Sequence, residues 1–193
     1  MPFMTLSNEE FIKNVLGKHG LNELEAMLKP ENASEVGFLG KNDSLVSTLL
    51  EDRATLNKLG VTYGQLAEEI DKLLDNKNWE ELEGVGETYR GLVIMSSMAF
   101  GSQECPWECP KEKYRASGQY VAEPVETKDK SRQILMERMR NNSKIGLEYE
   151  LKTEYNIIFT ELSPHLIRDH KFFEGRGSPY RMEPAVLVKW FNL

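Results

Sequence analysis

Long apolar runs are missing from this 193-residue sequence: none approaches the roughly 18 residues that a membrane-spanning helix needs. The opening Met1-Pro2-Phe3-Met4-Thr5-Leu6-Ser7 has neither a basic n-region nor a long apolar h-region, so no secretory signal is expected there. Cysteine is scarce too. Two residues, Cys105 and Cys109, cannot form a disulfide framework, and their number suits a reducing, cytoplasmic setting where thiols stay free or bind metal.

An excess of positive charge is also lacking. The formal net charge is −7. Residues 1–130 hold 14 Lys/Arg against 23 Asp/Glu, whereas residues 131–193 hold 10 against 8. An acidic N-terminal part repels phosphate backbones, so nucleic acid is disfavoured as a partner and a membrane surface is not expected. Neither G-x-x-x-x-G-K-[ST] nor G-x-G-x-x-G occurs, so there is no nucleotide fingerprint. C-x-x-C redox spacing and the local signatures of cysteine hydrolases are absent as well.

What remains is an ordinary globular composition, 40% hydrophobic and 28% charged, with enough apolar side chain for a core. The periodicity changes along the chain. Ser7-Asn8-Glu9-Glu10 reads as a capping box ahead of Phe11, Ile12, Val15 and Leu16 at helical spacing, ended by Gly17 and Gly20. Leu21, Leu24 and Leu28 predict a second helix stopped at Pro30. Asp43 or Ser44 caps a third, with Leu45, Leu49, Leu50 and Leu56, ending at Gly60. Thr62 and Gln65 open a fourth, with Leu66, Ile70, Leu73 and Leu74 buried and Glu68, Glu69 and Asp71 in water.

From about Gly86 the pattern turns to strand: 89–95, a short strand at 119–122, and the alternation of 146–160. Helices are predicted at 129–140, at 164–172 behind Ser163-Pro164, and after Glu183-Pro184. The class expected is α+β: a helical N-terminal part, residues 1–80, then residues 86–193 with a small mixed or antiparallel sheet and flanking helices, as two regions or one continuous domain.

Two paired motifs carry the chemistry. Cys105-Pro-Trp-Glu-Cys109 and His165-Leu-Ile-Arg-Asp-His170 hold both cysteines and two of three histidines. C-x3-C with H-x4-H supplies the ligands of a tetrahedral Cys2His2 zinc site. Pro106 and Pro110 restrict the cysteine loop and lower the entropy lost on chelation. Histidines five apart on a regular helix point about 140° from one another, so the helix is expected to end or distort between them. A Cys105–Cys109 disulfide would close too short a loop to stabilise much.

Three classes follow. The first is a binding or structural protein whose C-terminal part is pinned by zinc. The second is an enzyme with its site between the Cys105–Cys109 loop and the His165–Arg181 segment, using a thiol nucleophile with His165 as base and Asp169 orienting His170. The third is a helix-turn-helix regulator on residues 45–75, which the acidic Glu68, Glu69 and Asp71 weigh against. The segment 171–181 adds an anion-binding expectation at Arg176 and Arg181. Its structural alternative pairs Glu174 with an arginine, pairs Arg181 with a carboxylate, and uses the glycines to turn the chain.

Overall fold

Apolar stripes and capping residues build the N-terminal helices where the spacing predicts them. A computed structural model describes residues 6–32, 36–75, 89–97, 102–110, 113–127, 130 and 154–193. Helix α1 spans Asn8–Leu16. The Glu10 N–H donates to Ser7 Oγ at 3.2 Å and the Ser7 N–H to the Glu10 carboxylate at 2.9 Å, closing the capping box. Helix α2 is Leu21–Leu28, and α3 is Leu45–Leu59, capped by Ser44 and ended by left-handed Gly60. Helix α4, Tyr63–Asp75, opens on the reciprocal Thr62–Gln65 pair.

The sheet is antiparallel. Strand β1 (Leu92–Ser97) follows a reversal in which Arg90 and Gly91 both have positive φ. It pairs with β4 (Gln119–Pro124), Leu92 opposite Pro124 and Ser97 opposite Gln119. Strand β5 (Ile157–Thr160) takes the other edge of β4, Gln119 opposite Thr160. Pro124 is tolerated because it ends its strand. A two-stranded ribbon, β2 (Gln103–Glu104) with β3 (Arg115–Ala116), flanks the cysteine loop. Both prolines, Pro106 and Pro110, sit in the loop between the two strands. Apart from residue 130, the expected helix at 129–140 lies outside the described residues, as does the start of the 146–160 alternation.

Helix α5 is Ser163–His170 and α6 is Pro184–Phe191. Ser163 lies inside α5 and its Oγ accepts the Thr160 N–H at 3.0 Å, so it ties the helix to β5 instead of capping it. One core gathers Leu66, Ile70 and Leu73 of α4 with Phe159, Ile167, Phe173, Leu187 and Phe191. A second gathers Phe11, Val15, Leu24 and Leu28 of the first two helices with Cys105, Trp107, Leu166 and Phe172. The candidate site lies in the second core, under the N-terminal helices.

Helix α4 packs along α5, and only part of its acidic face is in water. Glu69 is buried, against the expectation that it is solvated. It lies 2.7 Å from Arg90 Nε and 3.1 Å from Lys72, and it accepts the Tyr89 hydroxyl at 2.9 Å. Burial alone would raise its carboxyl. The Lys72 and Tyr89 hydrogen bonds and the Arg90 charge hold it below the ordinary range. Gln65, the side chain a DNA reader would use, closes the α4 cap, and Asp71 pairs with Arg168. Leu56 at the end of α3, Val61 in the turn, and Leu66 and Ile70 of α4 all lie in one core. Among the described residues no helix is long and apolar enough to cross a membrane.

Candidate metal centre

The β2–β3 ribbon presents the cysteine loop. The Cys105 N–H donates to Tyr114 O at 3.3 Å, extending the ladder by one bond. The Glu108 N–H donates to Cys105 O at 3.0 Å, and Glu108 itself takes φ 55°. That left-handed residue reverses the chain, so Cys109 returns beside Cys105. A non-glycine residue held there carries a conformational cost that the surrounding contacts must offset.

Helix α5 presents the histidines. It runs unbroken to His170, its last residue, and stops at left-handed Lys171. The expected break between His165 and His170 is thus displaced to just after the pair. Imidazole arms are long enough to close the angular gap, and the rings meet edge to face at 89° with centroids 4.8 Å apart. Each ring is also clamped by an aromatic face. Tyr114 stacks on His165 at 3.6 Å, and Trp107 on His170 at 4.3 Å. Tyr114 and Trp107 lie in and beside the cysteine loop, but nothing in their spacing marks them as partners of distant histidines.

Cys105, Cys109, His165 and His170, the predicted ligands, converge with one donor atom each, all within 4.8 Å of one another. His170 Nε2 lies 3.4 Å from Cys105 Sγ, 3.4 Å from Cys109 Sγ and 3.2 Å from His165 Nε2, and His165 Nε2 lies 3.3 Å from Cys105 Sγ. Hydrogen bonding does not explain this pattern, because a neutral imidazole nitrogen either donates one bond or accepts. Three close neighbours around one nitrogen fit donors aimed at a common centre.

The electrostatics agree. Burial pushes the His170 ring down to about 4, with His165 adding to the effect. Burial also lowers His165, against the opposing pull of Asp169. Both rings are therefore neutral at pH 7 and offer lone pairs. Burial pushes the Cys105 thiol up to about 12, and Cys109 beside it contributes. A divalent cation inverts that preference, since it binds thiolates and displaces their protons.

The enzymatic alternative assigned Asp169 to His170. The structure places it on His165 instead, with Oδ2 2.6 Å from Nδ1, because i and i+4 share a helix face.

Arg176 and Arg181 lie apart from this cluster and do not form a free pair. Arg181 is buried, and all five of its N–H groups have acceptors within the chain: Asp52 twice (2.7 and 2.5 Å), the Glu174 carbonyl at 2.6 Å, and Glu183 twice at 3.1 Å. Arg176 is exposed and pairs with Glu51 at 2.8 Å. The Glu174 carboxylate accepts the Ser178 hydroxyl at 2.5 Å. Gly175 and Gly177 lie in a turn, which the Ser178 N–H closes on the Gly175 carbonyl at 3.0 Å. They admit close approach: a Cβ on Gly177 would overlap Gly40, and one on Gly175 would overlap Asp43.

No protein-family model, curated protein or solved structure matches the chain.

Proposed function

We propose that this is a zinc-binding protein of the cytoplasm, in which Cys105, Cys109, His165 and His170 hold one structural Zn²⁺ and the fold it locks serves a binding or scaffolding role. The observation that carries the reading is the set of distances between donors. Zinc at about 2.3 Å from sulfur and about 2.05 Å from nitrogen separates tetrahedral donors by about 3.3 Å (N to N) and about 3.6 Å (S to N). Four of the six donor pairs stand at 3.2 Å (N to N) and 3.3–3.4 Å (S to N), and all six lie within 4.8 Å. Four protein donors leave no open position for substrate, which favours a structural over a catalytic ion. Two thiolates neutralise the dication, so the buried centre carries no net charge. Two free thiols belong in a reducing compartment.

Elemental analysis of the purified chain is the test, with cobalt(II) as a spectroscopic substitute. About one zinc per chain is expected, with a thiolate-to-cobalt charge-transfer band lost in Cys109→Ser. A chain that binds neither ion refutes the reading.

One observation favours a second reading. Cys105 Sγ, His165 and Asp169 stand in line at 3.3 and 2.6 Å, the order of a thiol nucleophile, base and orienting carboxylate. Against it, Cys105 is only 5% exposed and its thiol is pushed up, whereas a reactive cysteine needs access and a lowered pKa. Alkylation at neutral pH separates the two readings. The zinc reading predicts slow labelling until a chelator is added; fast labelling of Cys105 abolished in His165→Ala would favour the nucleophile.

A further inference from the structure

Two of the three residues between the cysteines, Trp107 and Glu108, reach the end of α1 and the turn into α2. The Trp107 indole N–H donates to Val15 O at 2.8 Å in a buried bond. Val15 is in the last turn of α1, where backbone carbonyls have no partner within the helix, so the indole caps that helix from outside. The Trp107 carbonyl lies 3.4 Å from His19 Nε2, and Glu108 pairs with Lys18 at 2.7 Å. The Glu108–Lys18 pair is exposed and contributes little. Trp107 is the strut, because its ring also stacks on His170.

We infer that the cysteine loop is the docking platform of the N-terminal helix pair, so that metal occupancy and the docking of residues 8–28 are thermodynamically linked. The inference rests on the metal reading above. A bound ion fixes Cys105 and Cys109, which flank Trp107, and His170, on which Trp107 stacks. Without it, the loop must keep left-handed Glu108 and a cluster of close-set sulfur and nitrogen atoms with no cation at their centre. The apolar side chains that α1 and α2 contribute, Phe11, Val15, Leu24 and Leu28, share one core with Cys105 and Trp107, so undocking uncovers that surface. Linkage is reciprocal: whatever factor the metal adds to docking, docking adds to metal affinity.

Hydrogen exchange on the full chain, with zinc and after chelation, tests this without any mutation. Protection of residues 8–28 should fall on chelation while α4 and β4 keep theirs. As a second measurement, Phe11→Ala, which removes no ligand, should weaken zinc binding on the order of tenfold, within the usual range of coupling between sites. If the wild type binds zinc and chelation changes exchange only at 105–110, or everywhere equally, the linkage is refuted and the metal reading stands. If the wild type binds no zinc, the metal reading itself fails and the linkage with it.

Discussion

Asp169 Oδ2 stands 2.6 Å from Nδ1 of His165 while Nε2 of the same ring faces Cys105 Sγ at 3.3 Å. The carboxylate fixes the tautomer: with the proton held on Nδ1, the lone pair is on the nitrogen that faces the cluster. Partners of this kind hold a ligating histidine in orientation and raise its basicity, and losing one typically costs 10–100-fold in metal affinity. Asp169→Ala should therefore weaken zinc binding by about that factor, measured by competition with a chromogenic chelator. The fold should survive, since Asp169 is half exposed. Unchanged affinity would show that Tyr114 alone holds the ring.

Removing a ligand should act on stability and metal together. Cys109→Ser is expected to lose its zinc and to melt at a lower temperature than the wild type, because metal binding and folding share one free energy. Adding a chelator to the wild type should reproduce the shift, and adding it to the variant should change nothing. A variant that melts as the wild type does and keeps its metal would remove Cys109 from the ligand set.

Acid should destabilise the metal-free chain within a definite window. The folded His170 ring titrates near 4, below its ordinary value of 6.5, because burial disfavours the imidazolium. Between those values the unfolded chain binds a proton that the folded chain refuses, so stability falls as pH drops from 6.5 towards 4 and is flat with respect to this group above 6.5. Urea midpoints of the chelated protein at pH 7.5, 6 and 5 check the sign. His170→Gln should flatten the dependence.

Asp52 and Arg181 form a buried bidentate pair joining α3 to the segment before α6. Arg181→Ala leaves the Asp52 carboxylate buried without its cation, at a cost of about 3–5 kcal/mol, and Asp52→Ala leaves the Arg181 guanidinium with the Glu183 carboxylate alone. Replacing both with apolar residues of similar volume, Asp52→Leu with Arg181→Met, should cost far less than either truncation. Chemical denaturation of the three variants gives the comparison. Equal losses in all three would mean that packing, and not the charge pair, dominates.

Two glycines should respond to alanine in opposite directions. Gly40 backs onto the Gly177 backbone, so Gly40→Ala forces two loops apart and should cost about 1–3 kcal/mol by overpacking. Gly64 lies in the first turn of α4 with only the Thr62 hydroxyl within 4 Å, at 3.9 Å. Gly64→Ala should gain about 0.5–1 kcal/mol from the lower conformational entropy of the unfolded chain. Thermal melts decide both signs.

Local physics made much of this protein readable from its sequence. The capping boxes at Ser7 and Thr62, the Ser44 cap, the glycine stop at Gly60 and the Glu183-Pro184 start depend on residues within a few positions of one another, and they stand where the pattern puts them. The four candidate ligands were legible for a similar reason: rare residue types in close pairs signal shared chemistry without any knowledge of the fold. Tertiary structure decided the rest. It brought the two pairs together across 60 residues. It buried Glu69 beneath Tyr89 and Arg90, and it gave Arg181 to Asp52 across 129 residues. It also turned Gly40 and Gly177 into a point of contact between distant loops. None of these pairings has a period or a spacing. A buried charge finds its partner by where the chain packs, and that position is set by the core as a whole.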